Sequence, residues 1–272
     1  MRRGEAASLP RVLVTPGAVD DARGLIRFGP LERVLVPVGP VVAEPEHDGP
    51  ALVHGHGPGG LEHGSVPGIT LLTAVDRLRW CATRGLRAVV AVRGSGTGEA
   101  AALAGRLCRG LEGDSVGAVE VDLRGADDQH ALRVMARLRE ETPRDLLLLA
   151  RLSALQPDLV GVARGAVAGG AGAVVVCGSI ALGEGRWWSG PSTGAVCRAG
   201  VRALTAAAQE QRWPAVPLVA AGGVHDLDSA RRALAAGAVA VQLGTALWAD
   251  PTLLDTLTRR LDQPPDRTEE LP

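Results

Sequence analysis

The sequence predicts an α/β fold, a (β/α)8 barrel forming one domain. Three observations predict it. Eight short, nearly continuous apolar runs are spread from end to end of the 272 residues, and such runs suit strands buried on both faces of a parallel sheet. Amphipathic helical stretches separate them. The length matches the roughly 250 residues of a single barrel. An open doubly wound sheet meets the same periodicity, because periodicity does not report closure.

The runs predict strands over 12–14, 34–38, 88–93, 118–122, 146–151, 173–178, 216–221 and 239–243. The stretches between them predict helices over 70–84, 98–109, 128–141, 157–168, 194–212, 226–236 and 251–261. Leu132, Met135 and Leu138 recur at helical steps. Pro157 and Pro251 suit first-turn positions, and Asp226 suits an N-cap. Gly85 and Gly237 suit the residue after a helix end. Residues 39–67, rich in Gly, Pro and His, exceed a simple βα loop and predict an elaborated loop at the barrel mouth. The barrel takes 1–262, and the Pro- and charge-rich residues 263–272 form a loose tail.

Hydrophobic residues make up 46% of the chain and charged residues 22%, enough apolar material for a real core. A net charge of −1 gives no electrostatic case for nucleic acid or an anionic membrane. No apolar run approaches the roughly 20 residues that span a bilayer. The basic N-terminus lacks the apolar stretch of a signal peptide, so a soluble cytoplasmic protein is expected. Cys81, Cys108, Cys177 and Cys197 form no metal-ligand spacing and read as reduced thiols, Cys177 as core or as nucleophile. No metal is expected. The chain has no Lys, Asn or Tyr. It therefore has no lysine Schiff base, no asparagine amide to read a substrate and no tyrosine acid.

The chemistry-bearing signal is strongest near the C-terminus. Gly222-Gly223 follows the seventh predicted strand and Gly244-Thr245 the eighth. Glycine lets backbone N–H groups approach a ligand. Loops after these two strands are where barrels commonly hold a phosphate. The bland alternative is that the glycines only turn tight corners. The G-x-G-x-G of residues 94–98 lacks full dinucleotide spacing and reads as a βα loop.

PLVAAGG followed by AGAVAVQLGTALWADP resembles the closing segment of the dihydroorotate dehydrogenases, FMN-dependent α/β barrels. The likeness continues in LARLS (149–153), in Ser189-Gly190-Pro191, in VLVTPGAV and in Gly60-Leu61-Glu62-His63-Gly64. It is specific over the last 60 or so residues and weak before residue 115. The resemblance implies bound FMN, a small-molecule substrate and homodimerisation. Gly222, Gly223, Gly244 and Thr245 would hold the FMN phosphate. Ser189 and Gly190 would lie against the flavin, and Thr15 to Gly17 would supply backbone contacts. Arg151 stands where the family has a flavin lysine, and a fixed cation there stabilises reduced flavin.

The departures concern catalysis. The family's N-x-S-[CS]-P-N segment corresponds to Asp122-Leu123-Arg124-Gly125-Ala126-Asp127, so the catalytic base position is a glycine. Both asparagine positions are Asp, which accepts but does not donate and repels a carboxylate substrate. Two further asparagine positions are Gly57 and His63. Dihydroorotate is therefore not the expected substrate. His54, His56 and His63 are candidates for proton transfer or ligand contact, for structural roles or, from the spacing of two between the first pair, for a metal, though no carboxylate or Cys falls at a convincing ligand spacing. Asp122 and Asp127 read either as pocket carboxylates or as solvated loop residues. Trp187-Trp188 either lids the flavin or packs a loop. Three functions stay open: an FMN oxidoreductase with another substrate, a catalytically degenerate barrel serving as a binding or accessory protein, and a phosphate-binding isomerase or lyase.

Overall fold

The computed structural model describes residues 9–19, 21–44, 53–57, 59–94 and 96–262, without the side chains of His54 and His56. In chain order the strands are β1 (Val12–Val14), β2 (Val36–Val41), β3 (Val53–Gly57), β4 (Gly60–His63), β5 (Ala88–Val92), β6 (Val116–Asp122), β7 (Leu147–Ser153), β8 (Ala173–Cys177), β9 (Ile180–Gly183), β10 (Arg186–Ser189), β11 (Leu218–Ala221) and β12 (Ala240–Leu243). The helices are α1 (Leu71–Ala82), α2 (Thr97–Arg109), α3 (Asp128–Glu141), α4 (Leu159–Ala168), α5 (Gly194–Gln209), α6 (Leu227–Ala235), α7 (Ala246–Ala249) and α8 (Leu253–Leu261).

Eight parallel strands form one sheet in the order β1-β12-β11-β8-β7-β6-β5-β2. β1 and β2 lie side by side at the seam, without a hydrogen-bonded ladder among the described residues. The sheet is thus a nearly closed (β/α)8 barrel, and all eight predicted strands are in it. Two apolar layers explain the nearly continuous runs. Val119, Val121, Leu148 and Ala150 face outward into the core shared with the helices. Leu13, Val89, Ala118, Leu149, Val175 and Val219 fill the barrel interior.

Alternation along each strand sets up the site. Side chains two apart share a face. Above Ala118 on β6 comes Glu120, above Leu149 on β7 comes Arg151, above Val175 on β8 comes Cys177, and above Ala240 on β12 comes Gln242. The interior is apolar below and polar at its C-terminal end.

Several boundaries differ from expectation. The second strand runs over 36–41 and the seventh over 218–221. Pro157 and Pro251 precede their helices, whose N-caps are Asp158 and Thr252. The Asp158 carboxylate accepts the Gly161 N–H, which places the start of α4 after the proline. Asp226 is an N-cap as expected, in a capping box with Ser229. Gly237 follows the end of α6 with φ 114°.

The larger difference is a second sheet, absent from the sequence reading. Its four antiparallel strands run β3-β4-β10-β9. The 39–67 segment supplies the β3–β4 hairpin, and β9–β10 forms another between β8 and α5. Glu184 and Gly185 turn the latter, both at positive φ. The expected loose tail, 263–272, lies outside the described residues.

Candidate functional site

At the C-terminal mouth of the barrel lies a cavity of about 650 Å³, within the usual size range of cofactor and ligand sites. Its floor is the polar layer. Arg151 Nε donates to Glu120 Oε1 at 2.7 Å, and one terminal nitrogen, Nη2, donates to Gln242 Oε1 at 2.6 Å. Gln242 Nε2 closes the triangle by donating to Glu120 Oε2 at 2.8 Å. All three residues are buried. Burial opposes the charge on Arg151, but Glu120, Cys177 and Asp122 outweigh it and raise the guanidinium pKa. Arg151 Nη1 makes no hydrogen bond to protein among the described residues.

Above the floor, at the end of β6, Asp122 accepts from Arg124 Nε at 2.9 Å and from Arg124 Nη2 at 2.5 Å. Burial pushes the Asp122 carboxyl up, yet the hydrogen bonds and charge of Arg124, with the charge of Arg151, hold it below its usual range. Such a carboxylate is a weak base. The Arg124 guanidinium also lies over the Trp187 ring, 3.8 Å from its centre. Cys177 lines the cavity at 2% exposure. Burial raises its thiol pKa, and Arg151 and Arg124 lower it by more.

The small sheet forms another wall. His63 Nε2 lies 2.9 Å from Ser189 Oγ, which lies 2.8 Å from Ser179 Oγ. The His63 ring meets the edge of Trp248, whose indole N–H donates to Ala18 O. Trp187 lines the cavity, whereas Trp188 donates to Ser192 Oγ and packs on Gly60.

The loops after β11 and β12 close the circuit. Gly223 has φ 67°. A Cβ there would strike the backbone of Gly194, and one on Gly222 would meet Gly178 N at 2.9 Å. Glycine at 222–223 is thus required by packing against the β8 side. Gly244 differs, since a Cβ would only touch Thr15 Oγ1 at 3.6 Å. The N–H groups of Gly223, Gly244 and Thr245 find no acceptor among the described residues.

The fold brings together Thr15, Gly17, His63, Asp122, Arg151, Ser189, Gly190, Gly222, Gly223, Gly244 and Thr245, all of which line the cavity. Asp127 is not among them. It is the exposed N-cap of α3 and accepts the His130 N–H at 2.6 Å, so its carboxylate serves the helix. His56 sits on β3 opposite Leu61, and its side chain, like that of His54, lies outside the described residues. Sequence reasoning missed Glu120, Gln242, Arg124, Ser179 and Trp248. Glu120 and Gln242 had a signal: each interrupts an apolar strand with a polar side chain. Arg124 had a local signal in Asp122, two residues before it, whereas Ser179 had none, because its partner lies on an unforeseen hairpin.

Among the described residues no group of three His, Cys, Asp or Glu is placed to hold a metal ion, and no helix is long and apolar enough to cross a membrane. The four cysteines are free. No protein-family model matches the chain, and no curated protein matches it.

Proposed function

We propose that this barrel binds FMN and is an oxidoreductase resembling the dihydroorotate dehydrogenases, acting on a small substrate other than dihydroorotate. One observation carries the reading: a single cavity joins amides without acceptors on the β11 and β12 loops to a buried guanidinium on the barrel floor. The residues suit the cofactor. Amides of Gly223, Gly244 and Thr245 suit a phosphate, Arg151 suits the electron-rich edge of a flavin ring, and Trp187 and Trp248 line the space between. Bound FMN would supply a two-electron acceptor. The protein's own part is to hold substrate over the floor and to manage its proton.

The substrate argument rests on Gly125. It is exposed, with φ 85° and no atom within 4 Å of a built Cβ. It turns the chain between β6 and α3 and has no group to move a proton. Asp122, tied to Arg124, does not replace it. A second reading, a degenerate barrel with a binding or accessory role, draws on the floor itself. Glu120 already neutralises Arg151, as a purely structural network would.

Absorbance of the purified protein and titration with FMN test both readings. The first expects a flavin spectrum or saturable uptake. Gly244→Asp places an anion among the loop amides without crowding the fold, and weakens uptake by about 100-fold or more, since apposed like charges cost several kcal/mol. Gly244→Ala keeps it. A folded protein that takes up no FMN overturns the first reading in favour of the second.

A further inference from the structure

The wall built by β4 and β10 carries His63 and Ser189, the latter expected from the resemblance to lie against a flavin. Antiparallel pairing sets Trp187 opposite His63 and Ser189 opposite Leu61. The two strands approach closely because Gly190 has φ 131° and a Cβ there would meet Gly60 Cα at 2.6 Å. His63 Nδ1 lies 2.8 Å from the Gly64 carbonyl oxygen. A carbonyl only accepts, so Nδ1 carries the ring proton and Nε2 is the acceptor. Ser189 therefore donates to Nε2 at 2.9 Å, and Ser179 donates to Ser189 at 2.8 Å. A hydroxyl, a base within reach and a third group orienting that base are the parts of an activated nucleophile. Ser189 is buried at 7% exposure and faces the cavity.

We infer that Ser189 and His63 form an activated hydroxyl that removes a proton from a small carbon acid, a molecule with a C–H next to a carbonyl, bound in this cavity. The substrate proton passes to Ser189 Oγ as the serine's own proton passes to His63 Nε2. The C–H electron pair stays on the substrate as an enolate, and His63 becomes an imidazolium. Its Nδ1–H remains on Gly64 O. Arg151, whose Nη1 makes no hydrogen bond among the described residues, lines the same cavity and suits the enolate oxygen. The step needs no oxidant, and it draws on Ser189 and Arg151, which the flavin reading also places in this cavity. Among the described residues, Glu62 beside His63 pairs with Arg186 at 2.8 Å, and Asp250 lines the same cavity.

Methanesulfonyl fluoride, small enough for the cavity, tests the inference by mass spectrometry. Ser189 Oγ bonds to sulfur, fluoride leaves, and the serine proton goes to His63. A single adduct at Ser189 is expected. His63→Gln, folded by circular dichroism, slows it roughly 100-fold or more. An unmodified Ser189 in folded wild-type protein overturns the inference, as does wild-type reactivity in His63→Gln. Ring ¹⁵N NMR of the wild type does not depend on the variant folding: a proton on Nδ1 is expected, and one on Nε2 overturns the pair. Flavin content, read by absorbance, is scored separately, so either reading can fail alone.

Discussion

On the β6–β7 side the cavity is made of charged side chains, whereas on the β11–β12 side it is made of backbone. Glu120, Asp122, Arg124 and Arg151 meet in two ion pairs, one buried and one at the rim. Opposite them, Gly222, Gly223, Gly244 and Thr245 offer N–H groups and almost no side chain. The charged wall spends most of its hydrogen bonds internally, and the backbone wall keeps several for a ligand. The contrast separates two kinds of dependence. The first wall is stabilised by pairs, so removing one member harms the fold. The second is stabilised by close packing, so adding atoms harms it.

The largest expected effect breaks the charged wall. Glu120→Leu leaves a buried guanidinium without its carboxylate and costs about 3–5 kcal/mol by urea denaturation. Adding Arg151→Met and Gln242→Leu recovers most of that loss, because an apolar trio of similar volume leaves no buried polar group unpaired. If Glu120→Leu is neutral, the floor is not a buried ion pair.

The next effect separates the two glycine loops. Gly223→Ala costs about 3 kcal/mol, since it combines positive φ with a clash against Gly194. Gly244→Ala stays within about 0.5 kcal/mol, because its Cβ meets only ordinary contact. Equal thermal midpoints for the two variants would erase the distinction.

The smallest effect is electrostatic. The Asp122 carboxyl is held low when folded, so it contributes stability above its unfolded pKa of about 3.9 and loses it as pH falls through the lower folded value. The pair is partly exposed, so Asp122→Asn costs at most about 1 kcal/mol at pH 7. The gap to wild type closes as pH drops below about 4. A gap that stays constant with pH would mean that the Arg124 pair contributes nothing.

Much of the barrel is legible because each strand's two faces are both apolar, and Val119 and Ala118 need no partner identity to be placed. The cavity's backbone wall is legible for a related reason: glycines after two particular strands have few uses. The charged wall is harder. Arg151 stands out in the chain, but its pairing with Glu120 and Gln242 spans 31 and 91 residues and follows from barrel closure. Asp127 misleads because an aspartate before a helix serves equally as a cap and as a pocket carboxylate, and only its exposure decides. The β9–β10 hairpin escapes notice because its strands are short and half exposed.

The chain alone determined the order and type of elements, through apolar periodicity, and the residue types on offer: arginine as the strong cation, histidine without tyrosine or lysine, glycine where the last two strands end. Tertiary structure decided which of these meet. Closing the sheet brings β12 beside β1 and sets Gln242 across the floor from Glu120. Pairing β4 with β10 brings His63 to Ser189 across 126 residues. Periodicity is local and survives in sequence, whereas hydrogen bonds between distant strands depend on register, and register exists only once the sheets have formed.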